Sequence, residues 1–295
     1  TRVMPVKPSS SRPRAKERRK EKQGAAEAAP APGASPRRYF WVPLLFTLAL
    51  VPIAFVERLR DNPVLVWSVL GSAVALLAWQ VWLFLGMKEE GNTPAFVIVL
   101  RAQHYVQACL QLSVYAYWGW YWRPVYEHAW LLFAQFLFAY AFGILLAWSR
   151  RQPYALGFGA FPIVLSTNLF IWFRDDWFYL QFVMIAVGFL GKEFVRWNRE
   201  GRRVHIFNPS AFSLGLFSVV LIAMNATDLT WGQEIASTLS MAPRIYMFLF
   251  VIGLVAMYNF STTLVSGLAA VVLFGWSALY FRATGVPYFI DSEIP

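Results

Sequence analysis

The chain has 295 residues, of which 58% are hydrophobic, 18% aromatic and only 14% charged. This is more apolar surface than a water-soluble core of that size needs. The formal charge of +10 is no nucleic-acid signature, because eleven of the twenty-six Lys and Arg residues lie within residues 1–38 and the others mark membrane topology. A single cysteine, Cys109, excludes internal disulfides, iron–sulfur clusters held by this chain alone and a cysteine-type structural zinc site.

Residues 1–38 contain no aromatic residue and no apolar run, and they mix Lys, Arg and Glu with an Ala-Pro-Gly tract. Such a segment reads as a disordered basic cytoplasmic tail, suited to contact with anionic lipid headgroups or a partner's acidic surface. From Tyr39 onward, apolar stretches fall at about 39–56, 64–87, 95–121, 129–148, 155–173, 177–191, 209–225, 244–260 and 262–281. They predict an all-α polytopic membrane protein with about nine transmembrane helices, in a single domain over residues 39–295. With the tail inside and the spans alternating, the inner connections hold Lys88, Arg150, Arg151, Lys192, Arg196, Arg199, Arg202 and Arg203. The outer ones hold Arg58, Arg60, Arg123 and Arg174, each in a turn that also carries Asp or Glu. The asymmetry predicts a cytoplasmic N-terminus. Trp41, Trp67, Trp118, Trp120, Trp122, Trp148, Trp172, Trp177 and Trp231 cluster near the proposed span ends and read as interfacial anchors.

The third stretch opens PAFVIVLRAQHYVQACLQLSVYAYWGWYW. Arg101, His104, Gln107 or Ala108, and Gln111 recur at three- and four-residue spacing and share one helical face. An arginine and a histidine one turn apart do not face lipid cheaply. Either Arg101 snorkels to the cytoplasmic interface with His104 on a backbone carbonyl, or the face lines a site for an anionic or polar ring-bearing ligand. In PYALGFGAFPIVLSTNLF, residues 153–170, Gly157, Gly159 and Pro162 oppose a continuous helix. They predict an interruption whose freed backbone groups are satisfied inside the protein, or a kinked helix closely packed at its glycines. At GRRVHIFNPSAFSLGLF, residues 201–217, Asn208 is a good N-cap and Pro209 suits the first turn of a helix. Lys192, Arg202, Arg203 and His205 surround that positive helix end, where an anion or an electron-rich ring would be attracted. Of the three histidines, His128 falls in a predicted outer turn, and no soluble-type catalytic motif is present.

At GKEFVRWNREGRRVHIFNPSAFSLGLF, residues 191–217, the sequence resembles the RnfD/NqrB-type family, the membrane flavin subunits of Rnf electron-transport and sodium-translocating NADH:quinone oxidoreductase complexes. Through RAQHYVQ, YAYWGWYWRPVYEHA, TWGQEIASTL and GVPYFIDSEIP it is most similar to the UnbU-type, enediyne-biosynthesis-like branch, over most of residues 39–295. The resemblance implies a bundle of about ten helices in two inverted repeats, urea-transporter-like, in the inner (cytoplasmic) membrane of a bacterium. It also implies a flavin, FMN or riboflavin, or a quinone. In that family FMN is esterified to the threonine of an S-G-A-T motif. The positional match is Thr238, with Ile235, Ala236 and Ser237 in place of Ser-Gly-Ala. The family continues into one further helix, so residues 39–295 are expected to lack the last one.

Residues and resemblance together give the expected cofactor-binding set as Arg101, His104, Gln107, Lys192, His205, Asn208 and Thr238. The expected function is that of a membrane subunit of an electron-transport-type complex, at most a redox subunit acting with partner proteins. Two alternatives stay open: a scaffold subunit of a larger membrane assembly with a decayed cofactor site, or a small-solute transporter of interrupted helices.

Overall fold

The computed structural model describes residues 39–86, 96–199, 202–259 and 263–285. The basic tail, the loop with Lys88 and the C-terminal residues 286–295 all lie outside the described residues.

Prolines set several of the helix starts. Helix α1 (Trp41–Ile53) carries Pro43 in its first turn and Pro52 near its end, and α2 (Pro63–Gly86) begins on proline. Proline in a first turn gives up a backbone N–H that has no intrahelical acceptor anyway. Strand β1 (Phe96–Ile98) leads into α3 (Ala102–Tyr121), followed by a one-turn helix Pro124–Glu127 and α4 (Ala129–Ser149). Strand β2 (Tyr154–Leu156) and a 3-10 turn precede the eight-residue α5 (Phe161–Asn168). After α6 (Tyr179–Phe194) come strands β3 (Arg196–Arg199) and β4 (Arg202–His205), then α7 (Pro209–Ala223), α8 (Gly232–Leu239), α9 (Ile245–Asn259) and α10 (Thr263–Thr284).

The architecture of the described residues is all-α apart from two short strand pairs. β1 and β2 are parallel, with Phe96 opposite Tyr154 and Ile98 opposite Leu156, and β3 and β4 form an antiparallel hairpin. Among the described residues three segments are long and apolar enough to cross a membrane, Pro63–Gly86, Pro124–Ser149 and Ser266–Thr284, while α1, α7 and α9 are shorter apolar helices. The sequence-predicted third span is shorter than expected: its first residues form β1, and the helix starts at Ala102 with Arg101 as N-cap. Arg101 therefore stands at a helix end and not several residues inside a span.

Helix α4 is the centre of the main core. Leu131, Ala134 and Leu145 are fully buried against Leu50 of α1, Leu65 and Val69 of α2, Val164 of α5 and Ile185 of α6. Helix α3 packs on the far side of α5, tied by Gln111 Nε2 to Ser166 Oγ at 2.7 Å and by Tyr115 Oη to the Leu165 carbonyl at 2.8 Å. Helix α7 packs on α6 and α5, and α9 packs on α3. α10 has none of its apolar window buried.

The interruption expected at 153–170 is present. Only residues 161–168 are α-helical; Leu169 and Phe170 make a turn, and Phe173 forms an isolated antiparallel bridge with Thr230. Several of the freed backbone groups find partners inside the protein, as a buried irregular segment requires. Trp231 N donates to Trp172 O at 2.7 Å, Arg174 N to Leu229 O at 2.9 Å, and Phe173 N to Gln181 Oε1 at 3.1 Å. Asn168 sits at the hub, its Nδ2 donating to Gln135 Oε1 at 2.6 Å and its Oδ1 accepting from Gln135 and Gln181, each at 3.2 Å. One end of the bundle balances its charges: Arg58 pairs with Asp175 and Arg174 with Glu234, both at 2.7 Å.

Two expectations near that end are corrected. His128 is buried, not at the surface, stacked on Trp172 with ring centroids 4.1 Å apart. Trp118 and Trp172 are core residues, not interfacial anchors, because Trp118, Trp122 and Trp172 pack on one another beside that histidine. Trp41, Trp67 and Trp120 are exposed, as anchors are.

Candidate functional site

The opposite end of the bundle contains a cavity of about 330 Å³, within the range of small-molecule sites. Its wall on one side is α4, at Gly143, Leu146 and Ala147, and on another α6, at Phe189, Lys192 and Glu193. Residues Gln152 to Ala155 with Gly157 and Gly159 supply a third side, and Arg101 and His104 at the start of α3 close it.

The parallel pair builds this shape. Val99 N donates to Leu156 O at 2.9 Å, continuing the β1–β2 ladder to the residue before Gly157. At Gly157 the Val99 carbonyl comes so close that a Cβ would overlap it. Tyr140 Oη of α4 donates to Gly157 O at 2.8 Å and holds the turn against the central helix. At Gly159 the nearest atom to a Cβ would be His104 Nδ1, 3.9 Å away, so the missing side chain leaves room beside the imidazole.

The charges are distributed unevenly. Glu193 accepts from Arg150 on one carboxylate oxygen and is 2.7 Å from Arg196 on the other. Arg196 Nε also donates to Lys192 O at 2.9 Å. The one carboxylate on the cavity wall among the described residues is thus engaged twice. Arg101, His104 and Lys192 have no side-chain hydrogen bond or ion pair with any described residue. The N-terminus of α3 is likewise uncapped by any described side chain; His104 N donates to Arg101 O at 3.0 Å, which leaves the N–H groups of Ala102 and Gln103 and the positive end of the helix dipole. A cavity with these donors and the rings of Tyr154 and Phe189 can hold an anionic group and pack against a planar one.

Of the seven expected site residues, the structure brings together Arg101, His104 and Lys192. Gln107 is half-buried one turn further along α3 and does not line the cavity. Asn208 is the N-cap of α7, its Oδ1 accepting from Ser210 N at 3.1 Å and from Ser210 Oγ at 2.9 Å. It is a capping residue away from the cavity wall. His205 lies in β4 with its backbone paired to Arg196, and its side chain is outside the described ones. Thr238 is in α8, where its hydroxyl donates to Glu234 O at 2.5 Å and accepts from Trp118 Nε1 at 3.3 Å. Trp118 is fourteen residues along α3 from His104, roughly 21 Å at the helical rise per residue. Thr238 and the cavity therefore sit at opposite ends of that helix.

Tyr154, Phe189, Glu193 and Gly143 are cavity residues that the sequence does not single out. Glu193 stands beside Lys192 and Tyr154 opens the glycine-rich stretch, but neither has a spacing that points to a site. No family model matches the chain, and neither the curated proteins nor the solved structures include a match.

Proposed function

We propose that this chain is a polytopic membrane subunit of an electron-transport-type complex, whose bundle holds a flavin or a quinone in the Arg101–His104–Lys192 cavity. The observation that carries the reading is the convergence of three donors without described protein partners on a space walled by Tyr154 and Phe189. A flavin or quinone bound there would supply one- and two-electron transfer. The chain's own part is to bind and orient: Arg101 and Lys192 supply positive charge for an anionic group or a reduced ring, and His104 supplies a hydrogen bond. Covalent attachment at Thr238 does not fit, because that hydroxyl is buried and engaged on both sides. The expected preparation is yellow with flavin absorbance, or takes up added flavin or quinone, and its intact mass carries no flavin phosphate adduct. A colourless, folded preparation that binds neither would sink the reading.

In this reading the nine apolar segments cross a bacterial cytoplasmic membrane with the N-terminus inside. The cavity and the β3–β4 hairpin then face the cytoplasm and the acid-paired turns face outward, in keeping with the positive-inside bias. The RnfD/NqrB-type and UnbU-type resemblance, with its two inverted repeats, belongs to the same proposal. Cys109 offers a check, since it is exposed on α3, about 10 Å beyond Ala102 at the helical rise per residue. In intact membranes it is expected to resist a charged maleimide and to react once the membrane is dissolved in denaturant. Full labelling in intact membranes would place α3 outside the bilayer.

A second reading, a scaffold subunit, is favoured by α9 and α10. Tyr246, Phe250, Leu268, Val271 and Trp276 are all exposed, a surface that lipid and partner subunits would cover. Copurification at fixed stoichiometry without any cofactor would favour it.

A further inference from the structure

We infer that the cavity at the start of α3 is selective for a phosphate monoester, held non-covalently between Arg101, His104 and Lys192. This rests on the reading of the cavity as a ligand site and names the chemical class of the group it takes.

Charge is the first ground for it. Arg101, Arg150, Lys192 and Arg196 meet in and beside the cavity, and Glu193 is the only carboxylate on its wall among the described residues. Because Arg150 and Arg196 already take both oxygens of Glu193, that carboxylate forms no ion pair with Arg101 or Lys192. Cationic groups brought together without partners repel each other, and Lys192, though not Arg101, is also partly withdrawn from solvent; an anion between them relieves the repulsion. A carboxylate would supply one charge against the two unpaired cations, whereas a phosphate monoester supplies close to two at neutral pH.

Geometry agrees with the charge count. The unpartnered donors come from two elements, Arg101 and His104 at the start of α3 and Lys192 in the last turn of α6. A tetrahedral group with three terminal oxygens can accept from donors that approach from different sides, and a guanidinium fork suits two of those oxygens. The start of α3, a twenty-residue helix with no side-chain cap, adds the positive end of a dipole beside Arg101 and His104. Gly159 leaves the approach to His104 Nδ1 open. A neutral ring alone would accept hydrogen bonds from these donors but leave their charge uncompensated.

Three kinds of molecule could bring such a group: a mononucleotide flavin, free inorganic phosphate, or a lipid with a phosphomonoester headgroup. The test uses the purified full chain in nanodiscs of neutral lipid, titrated with FMN and with riboflavin by flavin fluorescence, and with inorganic phosphate as competitor. FMN is expected to bind at least ~10-fold more tightly than riboflavin, the order expected for loss of charge-assisted hydrogen bonds, and phosphate is expected to displace it. Lys192→Met and Arg101→Met should each weaken FMN binding far more than riboflavin binding, bringing the two affinities together, and Lys192→Arg should retain the preference. A cooperative thermal melt near that of the wild type shows that a variant is folded.

Equal affinity for FMN and riboflavin, with no effect of phosphate, would overturn the phosphate selectivity and leave the flavin reading standing. Binding of inorganic phosphate that disappears in Lys192→Met, with no uptake of either flavin, would uphold the phosphate site and remove the flavin reading. If nanodiscs containing phosphatidic acid compete where phosphatidylcholine does not, the selectivity stands and the lipid headgroup is the source. Absence of binding by all three probes overturns the inference.

Discussion

Replacement of Gly157 by alanine is expected to lower the thermal stability of the detergent-solubilised protein and to reduce ligand binding in the cavity at least ~10-fold. The reason is steric. Gly157 has φ 170° and ψ −163°, extended backbone that any residue adopts, so the substitution carries no conformational penalty of its own. The new methyl group would overlap the Val99 carbonyl oxygen and lie 3.2 Å from the carbonyl carbon. Neither side gives way easily. Val99 is held by its N–H to Leu156 O, and Gly157 by its carbonyl to Tyr140 Oη. Relief requires opening the β1–β2 pair or breaking the Tyr140 bond, and either moves a wall of the cavity. Overpacking of this kind costs about 1–3 kcal/mol. Gly159→Ala is the control, because its Cβ would meet His104 Nδ1 at an ordinary 3.9 Å, so its stability should stay near wild type. A Gly157→Ala protein with unchanged melting and unchanged binding would show that the close approach is not what shapes the cavity.

The second large effect is expected at Asn168→Leu. Asn168, Gln135 and Gln181 are all fully buried, and they join α5 to α4 and α6. Interhelical hydrogen bonds between membrane helices average only about 0.6 kcal/mol each, so the lost bonds by themselves would have a small effect. The amide left behind matters more. Both polar atoms of the Gln135 amide are partnered through Asn168, and a buried group left without a partner costs about 1–3 kcal/mol. Gln181 keeps its bonds to Ile171 O and Phe173 N. The single variant should therefore lose several degrees of thermal stability, and the double variant Asn168→Leu, Gln135→Leu should recover a large part of it. Such recovery is the signature of an orphaned amide, since replacing both partners by apolar groups leaves neither of them unsatisfied. If the double variant is less stable than the single one, the network acts through its packing instead.

Particular residues show why part of the fold is legible in the sequence and part is not. Gly157, Gly159 and Pro162 oppose a continuous helix because each acts on its own backbone and immediate neighbours, and α5 starts only past both glycines, with Pro162 in its first turn. The start of α3 is hidden because PAFVIVL is apolar enough for a span. Its residues 96–98 instead pair with residues 154–156, more than fifty positions away. The burial of His128 is hidden for a similar reason. A turn rich in charge beside it suggests a surface, while the ring that buries it, Trp172, arrives from another element.

The site divides along the same line. Arg101 and His104 are recognisable as a pair because one helical turn separates them, and Lys192 because a cation ends an apolar run. Thr238 is singled out by motif position, and packing of α8 against Trp118 sets it at the other end of α3. By itself the sequence determined an apolar chain with a basic bias, a stretch from Gly157 to Pro162 unfit for continuous helix, and an arginine and a histidine one turn apart in an apolar stretch. Those are properties of composition and of local backbone geometry. Tertiary structure alone decided that this pair meets Lys192, that Glu193 is neutralised by Arg150 and Arg196, and that Asn208 and Thr238 stand apart from them. Arg101 and Lys192, some ninety positions apart, meet only through packing, and no local period in the chain encodes that.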